Sequence, residues 1–313
     1  MNIVFMGTPD LAAVVLDKLI HSEHDILAVV TQPDRPKGRG KQVQFTPVKE
    51  LALQYNIPIL QPNRVKEEGF LPILKELNPE AIVVAAFGQI LPKSILELPR
   101  YGCINVHASL LPKYRGAAPI QWSIINGEDK TGVTIMHMDA GVDTGDMIMK
   151  AEVPIDLKET GGSLHDKLAE CGGELLLEAL KAIEDGTAPR EKQKDEESCH
   201  TKILDKSMGL IDFNRPAIEL ERLIRGLNPW PSAYTFLDGK TLKIWDADVI
   251  AEETAGIPGE IVKVTKDTIV IKTSKGSLAM KELQLEGKKR MTVEAFLRGY
   301  SIDTGKILNN KNM

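Results

Sequence analysis

The chain has 313 residues, 42% hydrophobic and 27% charged, with a formal net charge of −5. That length exceeds one ordinary domain and fits two, the composition is that of a globular protein, and the net charge does not mark a nucleic-acid binder. The three cysteines, Cys103, Cys171 and Cys199, are too scattered for a disulfide framework and form no Cys-x-x-Cys pair, which favours a reducing compartment. The first residues run straight into a strand-like stretch without a secretory pattern. No stretch approaches the roughly 20 apolar residues that span a bilayer, so the expectation is a cytoplasmic protein with no membrane partner.

Asn2–Met6 is a candidate buried strand closed by Gly7, and Leu11–Leu19 has helical spacing behind Pro9 and Asp10. Strands are predicted at Ile26–Thr31, Ile57–Leu60, Ala81–Ala86, Cys103–Val106 and Gly132–Met138, with helices at Pro47–Tyr55, Phe70–Leu77 and Ser94–Leu98. Such alternation argues for an α/β domain of Rossmann-like form, a mostly parallel sheet with helices on both faces. In that architecture ligands bind at the carboxyl ends of the strands. The pattern changes after about residue 185. A catalytic domain is expected over 1–189, a charged linker over 190–206 and a C-terminal domain over 207–313. The last begins with an amphipathic helix at Pro216–Leu227. Short β-like runs follow at Thr241–Trp245, Glu260–Val264, Thr268–Thr273 and Ser277–Leu285, which suggests a small antiparallel barrel. Residues 207–313 hold 16 Lys and Arg against 14 Asp and Glu, while the rest holds 23 against 30. A mildly basic module on an acidic body hints at a polyanionic partner.

The most informative run is GCINVHASLLPKYRGAAP, Gly102–Pro119. Asn105 and His107 stand two apart at a strand end, so both share one face, about 7 Å apart along the chain. Two polar side chains on one face of an apolar strand need a partner or a task. Cys103 lies on that face as well. The loop Asp139–Asp146, DAGVDTGD, offers carboxylates at Asp139, Asp143 and Asp146. Asn, His and Asp together suit acyl transfer to an amine. An Asn amide and a protonated imidazole can donate to the oxyanion of a tetrahedral intermediate. A carboxylate can take the proton of the attacking ammonium, directly or through water. No covalent intermediate is required.

NVHASLLPKYRGAAPIQWSI resembles the formyltransferase family that uses 10-formyltetrahydrofolate. The resemblance implies Asn105, His107 and Asp143 as the catalytic set, with Ser109, Leu110, Leu111 and Pro112 lining the folate site, and it implies no metal. It extends through MGTPDLA (Met6–Ala12), TQPDRPKGRGK (Thr31–Lys41), FGQILP (Phe87–Pro92) and NPWPSAYT (Asn228–Thr235). Those runs are similar to the branch whose acceptor is methionyl initiator tRNA, and imply a Rossmann-like catalytic domain with an OB-like C-terminal one, acting as a monomer in translation initiation.

The loop Pro33–Lys49 carries Arg35, Lys37, Arg39, Lys41 and Lys49 against Asp34. Basic side chains contact phosphates, and Arg also stacks on bases. By resemblance this loop reaches the acceptor end of the tRNA, with Arg39 as main anchor and Lys41 beside it. A formyltransferase acting on a small amine would need neither this loop nor the added domain, and a non-catalytic RNA-binding protein would not need Asn105, His107 and Asp143 together. Lys288, Lys289 and Arg290 read equally as a basic groove or a hairpin turn, and Trp230 as a packing anchor. His21 and His24 lack a third ligand at metal-site spacing, and Cys199-His200 shows no partners. Gly7-Thr8-Pro9 is not the glycine-rich dinucleotide fingerprint, which disfavours a nicotinamide oxidoreductase.

Overall fold

The computed structural model describes residues 1–37 and 42–308, without the side chains of residues 36, 37, 42 and 43. The chain forms two compact units. The first comprises Met1–Pro119, Lys130–Pro154 and His165–Thr201, and the second comprises Ile120–Asp129, Ile155–Leu164 and the chain from Lys202 onward.

In the first unit a seven-stranded sheet runs in the order Met147–Pro154, Lys130–His137, Cys103–His107, Ala81–Ala85, Asn2–Gly7, Asp25–Val30, Ile59–Leu60. From Cys103–His107 to Ile59–Leu60 every pairing is parallel. Lys130–His137 and Met147–Pro154 then add antiparallel. Ile3, Val4, Phe5 and Met6 are all fully buried, the continuous apolar run of a strand covered on both faces. Asp10–Ile20 turns Leu11, Ala12, Val15, Leu16 and Leu19 inward. Pro47–Gln54 starts with proline, and its Thr46 cap accepts from the Lys49 amide, which satisfies one of the open N–H groups of the first turn.

The predicted order of strands and helices holds through Cys103–His107. Among the elements beyond it that were not legible are the strand Met147–Pro154 and the helix Gly161–Glu184. Glycines hide the helix, since each costs about 1 kcal/mol of propensity against alanine. Packing explains the inner pair. A Cβ at Gly172 would lie 2.9 Å from Val106 Cγ1, and one at Gly173 would lie 2.6 Å from Lys18 Cγ. The helix therefore runs close against the Cys103–His107 strand. Val106 faces it, and alternation sends Asn105 and His107 to the opposite face.

The stretch 190–206, expected as a linker, does not trail free. Its residues to Thr201 belong to the first unit. Glu191 and Met147 exchange backbone hydrogen bonds of 3.0 and 2.8 Å, and His200–Thr201 pairs in parallel with Arg115–Gly116. Charge was a poor guide because these contacts are made by backbone and by short polar side chains.

In the second unit, Ala233–Leu237, Lys240–Ile250, Ser277–Leu285, Ile269–Lys272 and Ile261–Val264 form one antiparallel sheet, with Met291–Thr292 joined to Ser277–Leu285. Alternate residues such as Leu242, Ile244, Ile271, Leu278 and Leu283 fill a barrel-like core with Leu220 and Ile224 of the helix Ala217–Gly226. Trp230, expected as a packing anchor, is instead 54% exposed, while Asn228, Pro231 and Ser232 beside it are buried. Arg290 lies over the Trp245 ring at 4.9 Å and pairs with Glu282.

Gly132 sits opposite Glu152 in the antiparallel pair, and a Cβ there would fall 2.0 Å from the Ala151 carbonyl oxygen and 2.6 Å from Leu110 Cδ2. Gly132→Ala should therefore destabilise the first unit by about 1–3 kcal/mol, the usual cost of overpacking. A thermal melt identical to that of the unsubstituted chain would refute the tight approach.

Candidate active site

Asn105 and His107 lie at the carboxyl end of their strand and are 8% and 7% exposed. His107 Nε2 is 3.0 Å from the Tyr114 carbonyl oxygen. A carbonyl only accepts, so Nε2 carries the hydrogen and Nδ1 is the nitrogen turned to Asp143. Asp143 Oδ2 lies 3.7 Å from that Nδ1, an ion-pair distance rather than a hydrogen bond. The same oxygen accepts from the Gly116 amide at 2.8 Å. Among the described residues the Asp143 Oδ1 and the Asn105 side-chain amide have no hydrogen-bond partner. A free amide beside an imidazole and a carboxylate can donate to a developing oxyanion, while the carboxylate accepts a proton.

The structure thus brings His107 and Asp143 together, with Asn105 two residues before His107 on the same strand face. Asp139 and Asp146 have other tasks. Asp139 accepts from the Gly141 amide and the Thr144 hydroxyl at 3.0 and 2.7 Å, stapling the loop. The Asp146 backbone carbonyl accepts from His137 N at 2.9 Å and closes the loop, and its carboxylate acts electrostatically on His137. Cys103 is removed from the chemistry, because burial pushes its thiol up to about 12 and its partner is the Ile95 carbonyl.

The segment Ser109–Pro112 follows at once, and its four residues differ. The fully buried Ser109 donates to the Lys113 carbonyl at 2.8 Å. Leu111 packs against Met136 and Met147. Leu110 and Pro112 are partly exposed and offer the apolar surface. Thr134, which the sequence did not single out, shapes the bend. Its hydroxyl donates to the Ser109 carbonyl and accepts from the Leu111 amide, at 2.7 and 3.0 Å. Gly116, Tyr114 and Gln193 were likewise missed. Only Gly116 carried a signal, a glycine in the informative run whose φ is +96°.

Three runs quoted above meet beside this sheet edge. Thr8 and Gln32 both donate to the Phe87 carbonyl, at 3.4 and 3.1 Å. They follow neighbouring parallel strands, so adjacency in the sheet joins stretches far apart in sequence. Of the basic loop, Lys49 is engaged with Asp34 and Gln61, and the lysine holds the Asp34 carboxyl below its usual range. Arg39 and Lys41 lie outside the described residues. Cys199, read as without partners, accepts from the Tyr114 amide through sulfur at 3.1 Å. His21 and His24 have separate partners, Asp17 and Tyr55 for the first and the N-terminal amine for the second.

A family model described as "Formyl transferase" matches residues 1–180, and one described as "Formyl transferase, C-terminal domain" matches 203–301. The methionyl-tRNA formyltransferase of Agathobacter rectalis is 55% identical over 305 residues, 97% of this chain and 98% of that protein. The chain belongs to the methionyl-tRNA formyltransferase family. That of Clostridioides difficile is 54% identical over 98% of this chain and all of its own length. Among solved structures, an N-formyltransferase from Helicobacter canadensis, in complex with folinic acid and dTDP-3-aminofucose, matches with a TM-score of 0.63. It covers 89% of this chain and 98% of its own, at 17% identity, and so bears on the fold alone. Membership of the family accounts for the two-part architecture, a Rossmann-like unit followed by a barrel-like one.

His137 ends the strand that leads into the Asp143 loop. Burial, and then the Arg190 charge, lower its pKa from 6.5 to about 4, against the opposing pull of Asp146. Between those values the unfolded chain binds a proton that the folded chain refuses, so stability is lost as pH falls from 6.5 toward 4. His137→Gln should flatten that part of the stability curve. An unchanged slope in urea titrations at pH 6.5, 5.5 and 4.5 would show that His137 is not its source.

Proposed function

We infer that the protein transfers the formyl group of 10-formyltetrahydrofolate to the α-amino group of methionyl initiator tRNA. The observation that carries this reading is near-full-length identity above one half to methionyl-tRNA formyltransferases. The juxtaposition of Asn105, His107 and Asp143 supports the chemistry. The donor is the one implied by the resemblance of the run Asn105–Ile124 to enzymes that use 10-formyltetrahydrofolate.

In the reaction the amine attacks the formyl carbon and the carbonyl electrons move to oxygen. The resulting oxyanion is met by the Asn105 amide and by Nδ1–H of His107 in its imidazolium form, the ring being held in place through Nε2–H. Such donors work because they are oriented before charge develops and lie where little water competes. Asp143 assists removal of the ammonium proton through Oδ1, since Oδ2 is engaged by Gly116. Collapse of the intermediate breaks the bond to N10 of the folate, which takes up a proton and leaves as tetrahydrofolate. No covalent enzyme intermediate and no metal enters this account. Leu110 and Pro112 present the side-chain surface of the predicted folate segment, with Ser109 and Leu111 acting from beneath. Residues 1–189 carry the chemistry, and 207–313 together with Arg39 and Lys41 serve the tRNA. The setting is initiation of protein synthesis in the cytoplasm, the compartment that three unpaired cysteines favour.

The direct test measures formyl transfer from 10-formyltetrahydrofolate to methionyl initiator tRNA, with methionyl elongator tRNA as control. Activity on both tRNAs alike, or on an amino-sugar nucleotide alone, would overturn the reading. Removing the imidazole in His107→Ala should lower kcat by about 100–1,000-fold, the range for loss of one oxyanion donor, with tRNA binding retained. Arg39→Ala should weaken tRNA binding and reduce the slope of log affinity against log salt by about one. An unaltered slope would remove that side chain from the interface.

A further inference from the structure

Asp143 sits in an exposed-edged loop with φ of +54°, and its partner His107 is too distant to anchor it. The loop is stapled at its start by Asp139 and closed at its end by His137 and Asp146. Neither contact sets the direction of the Asp143 backbone. That is set from the stretch first expected to be a linker. The Gln193 side-chain nitrogen donates to the Asp143 carbonyl at 2.8 Å and to the Gly145 carbonyl at 2.9 Å. A primary amide has two hydrogens, so both bonds form at once. On its other side Gln193 Oε1 accepts from Arg115 Nε at 2.9 Å. Arg115 directly precedes Gly116, whose amide holds the Asp143 carboxylate. The contacts close a ring: Asp143 backbone, Gln193 amide, Arg115 guanidinium, Gly116 amide, Asp143 carboxylate.

We propose that Gln193 is a positioning residue that fixes the Asp143 carboxylate against His107 by bridging the two segments that carry it. The ring is itself anchored. Arg115 is 3% exposed and pairs with Asp195 at 2.9 Å, Arg115–Gly116 is strand-paired to His200–Thr201, and Glu191 is bonded to Met147 in both directions. Gln193 therefore acts from a braced backbone rather than from a floating one. Only a side chain that donates twice and accepts once meets all three demands. Glutamate in its place would still accept from Arg115, yet it has no hydrogen for either carbonyl and sets its charge against them. The inference rests on the formyl-transfer reading of the site.

The test is kinetic and uses the full chain, with formyl transfer to methionyl initiator tRNA measured in wild-type and Asp143→Asn backgrounds. Asparagine tolerates the left-handed φ at 143, so that background keeps the loop and loses the carboxylate. Gln193→Glu and the isosteric, apolar Gln193→Met should lower kcat about 10–100-fold, the scale of an ångström-sized misplacement of a reacting group. KM for folate and for tRNA should stay within about twofold, since neither substrate touches Gln193 in this proposal. In the Asp143→Asn background the same changes should have no further effect. Equal losses in both backgrounds would overturn the proposal, and so would full activity of either variant in the wild-type background. Failure of Gln193→Met to fold would also overturn it, because the role would then be to hold the unit together. A wild-type chain that does not formylate the tRNA would instead strike the functional reading, so the two failures are told apart.

Discussion

At 3.7 Å the Asp143 carboxylate and the His107 ring do not hold each other, so each must be aimed from elsewhere, and both are aimed from one short turn. The Tyr114 carbonyl takes the hydrogen of His107 Nε2, and the Gly116 amide takes the Asp143 carboxylate. Donor and acceptor stand two residues apart in a stretch where both Tyr114 and Gly116 have positive φ, +60° and +96°. That unusual backbone turns a carbonyl toward His107 and an amide toward Asp143. A backbone jig of this kind suits acyl transfer, where charge develops over a short distance and donors that must first reorient lose much of their value.

The turn is in turn held by partners remote in sequence. The Tyr114 amide bonds Cys199 sulfur, and Arg115 with Gly116 pairs with His200 and Thr201. Thr134 bonds the chain on the other side of Lys113, at Ser109 and Leu111. Asn105 and His107 are carried by their strand, with Val84 and Met136 as register partners of the first and Thr134 of the second. The strand end therefore supplies rigidity, and the loops supply direction. Gly172 and Gly132 are the packing counterpart: they let a helix and a neighbouring strand come within contact of the segment that bears the site.

The Rossmann-like unit was legible because its central strands are continuous apolar runs and its first helices keep a 3.6-residue period, one starting behind Pro9 and the other behind a Thr46 cap. Legibility failed where other pressures shaped the residues. The helix Gly161–Glu184 carries glycine pairs for close approach, which erases its propensity signal. The antiparallel strand Met147–Pro154 begins buried and then alternates, half-exposed, unlike the parallel strands before it. Residues 190–201 look solvated by composition and are nevertheless tied into the first unit by backbone pairing, which leaves no compositional trace, and by the Gln193 and Asp195 side chains, whose partners are remote in sequence. Trp230 shows the opposite error, a ring between two prolines expected to pack and found exposed.

The amino-acid sequence by itself determined the fold class, the shared strand face of Asn105 and His107, and the family to which the run Asn105–Ile124 ties the chain, and only that resemblance singled out Asp143 among the loop carboxylates. These follow from periodicity and from residue identity, which are properties of the chain read in order. Which oxygen of Asp143 is free, which nitrogen of His107 faces it, and which of Ser109–Pro112 offer a surface were decided by tertiary structure alone. Each depends on a hydrogen bond or contact between residues distant along the chain, such as Gly116 with Asp143 or Gln193 with Arg115. A backbone amide has the same identity at every position, so its partner is fixed only when the fold brings the two together.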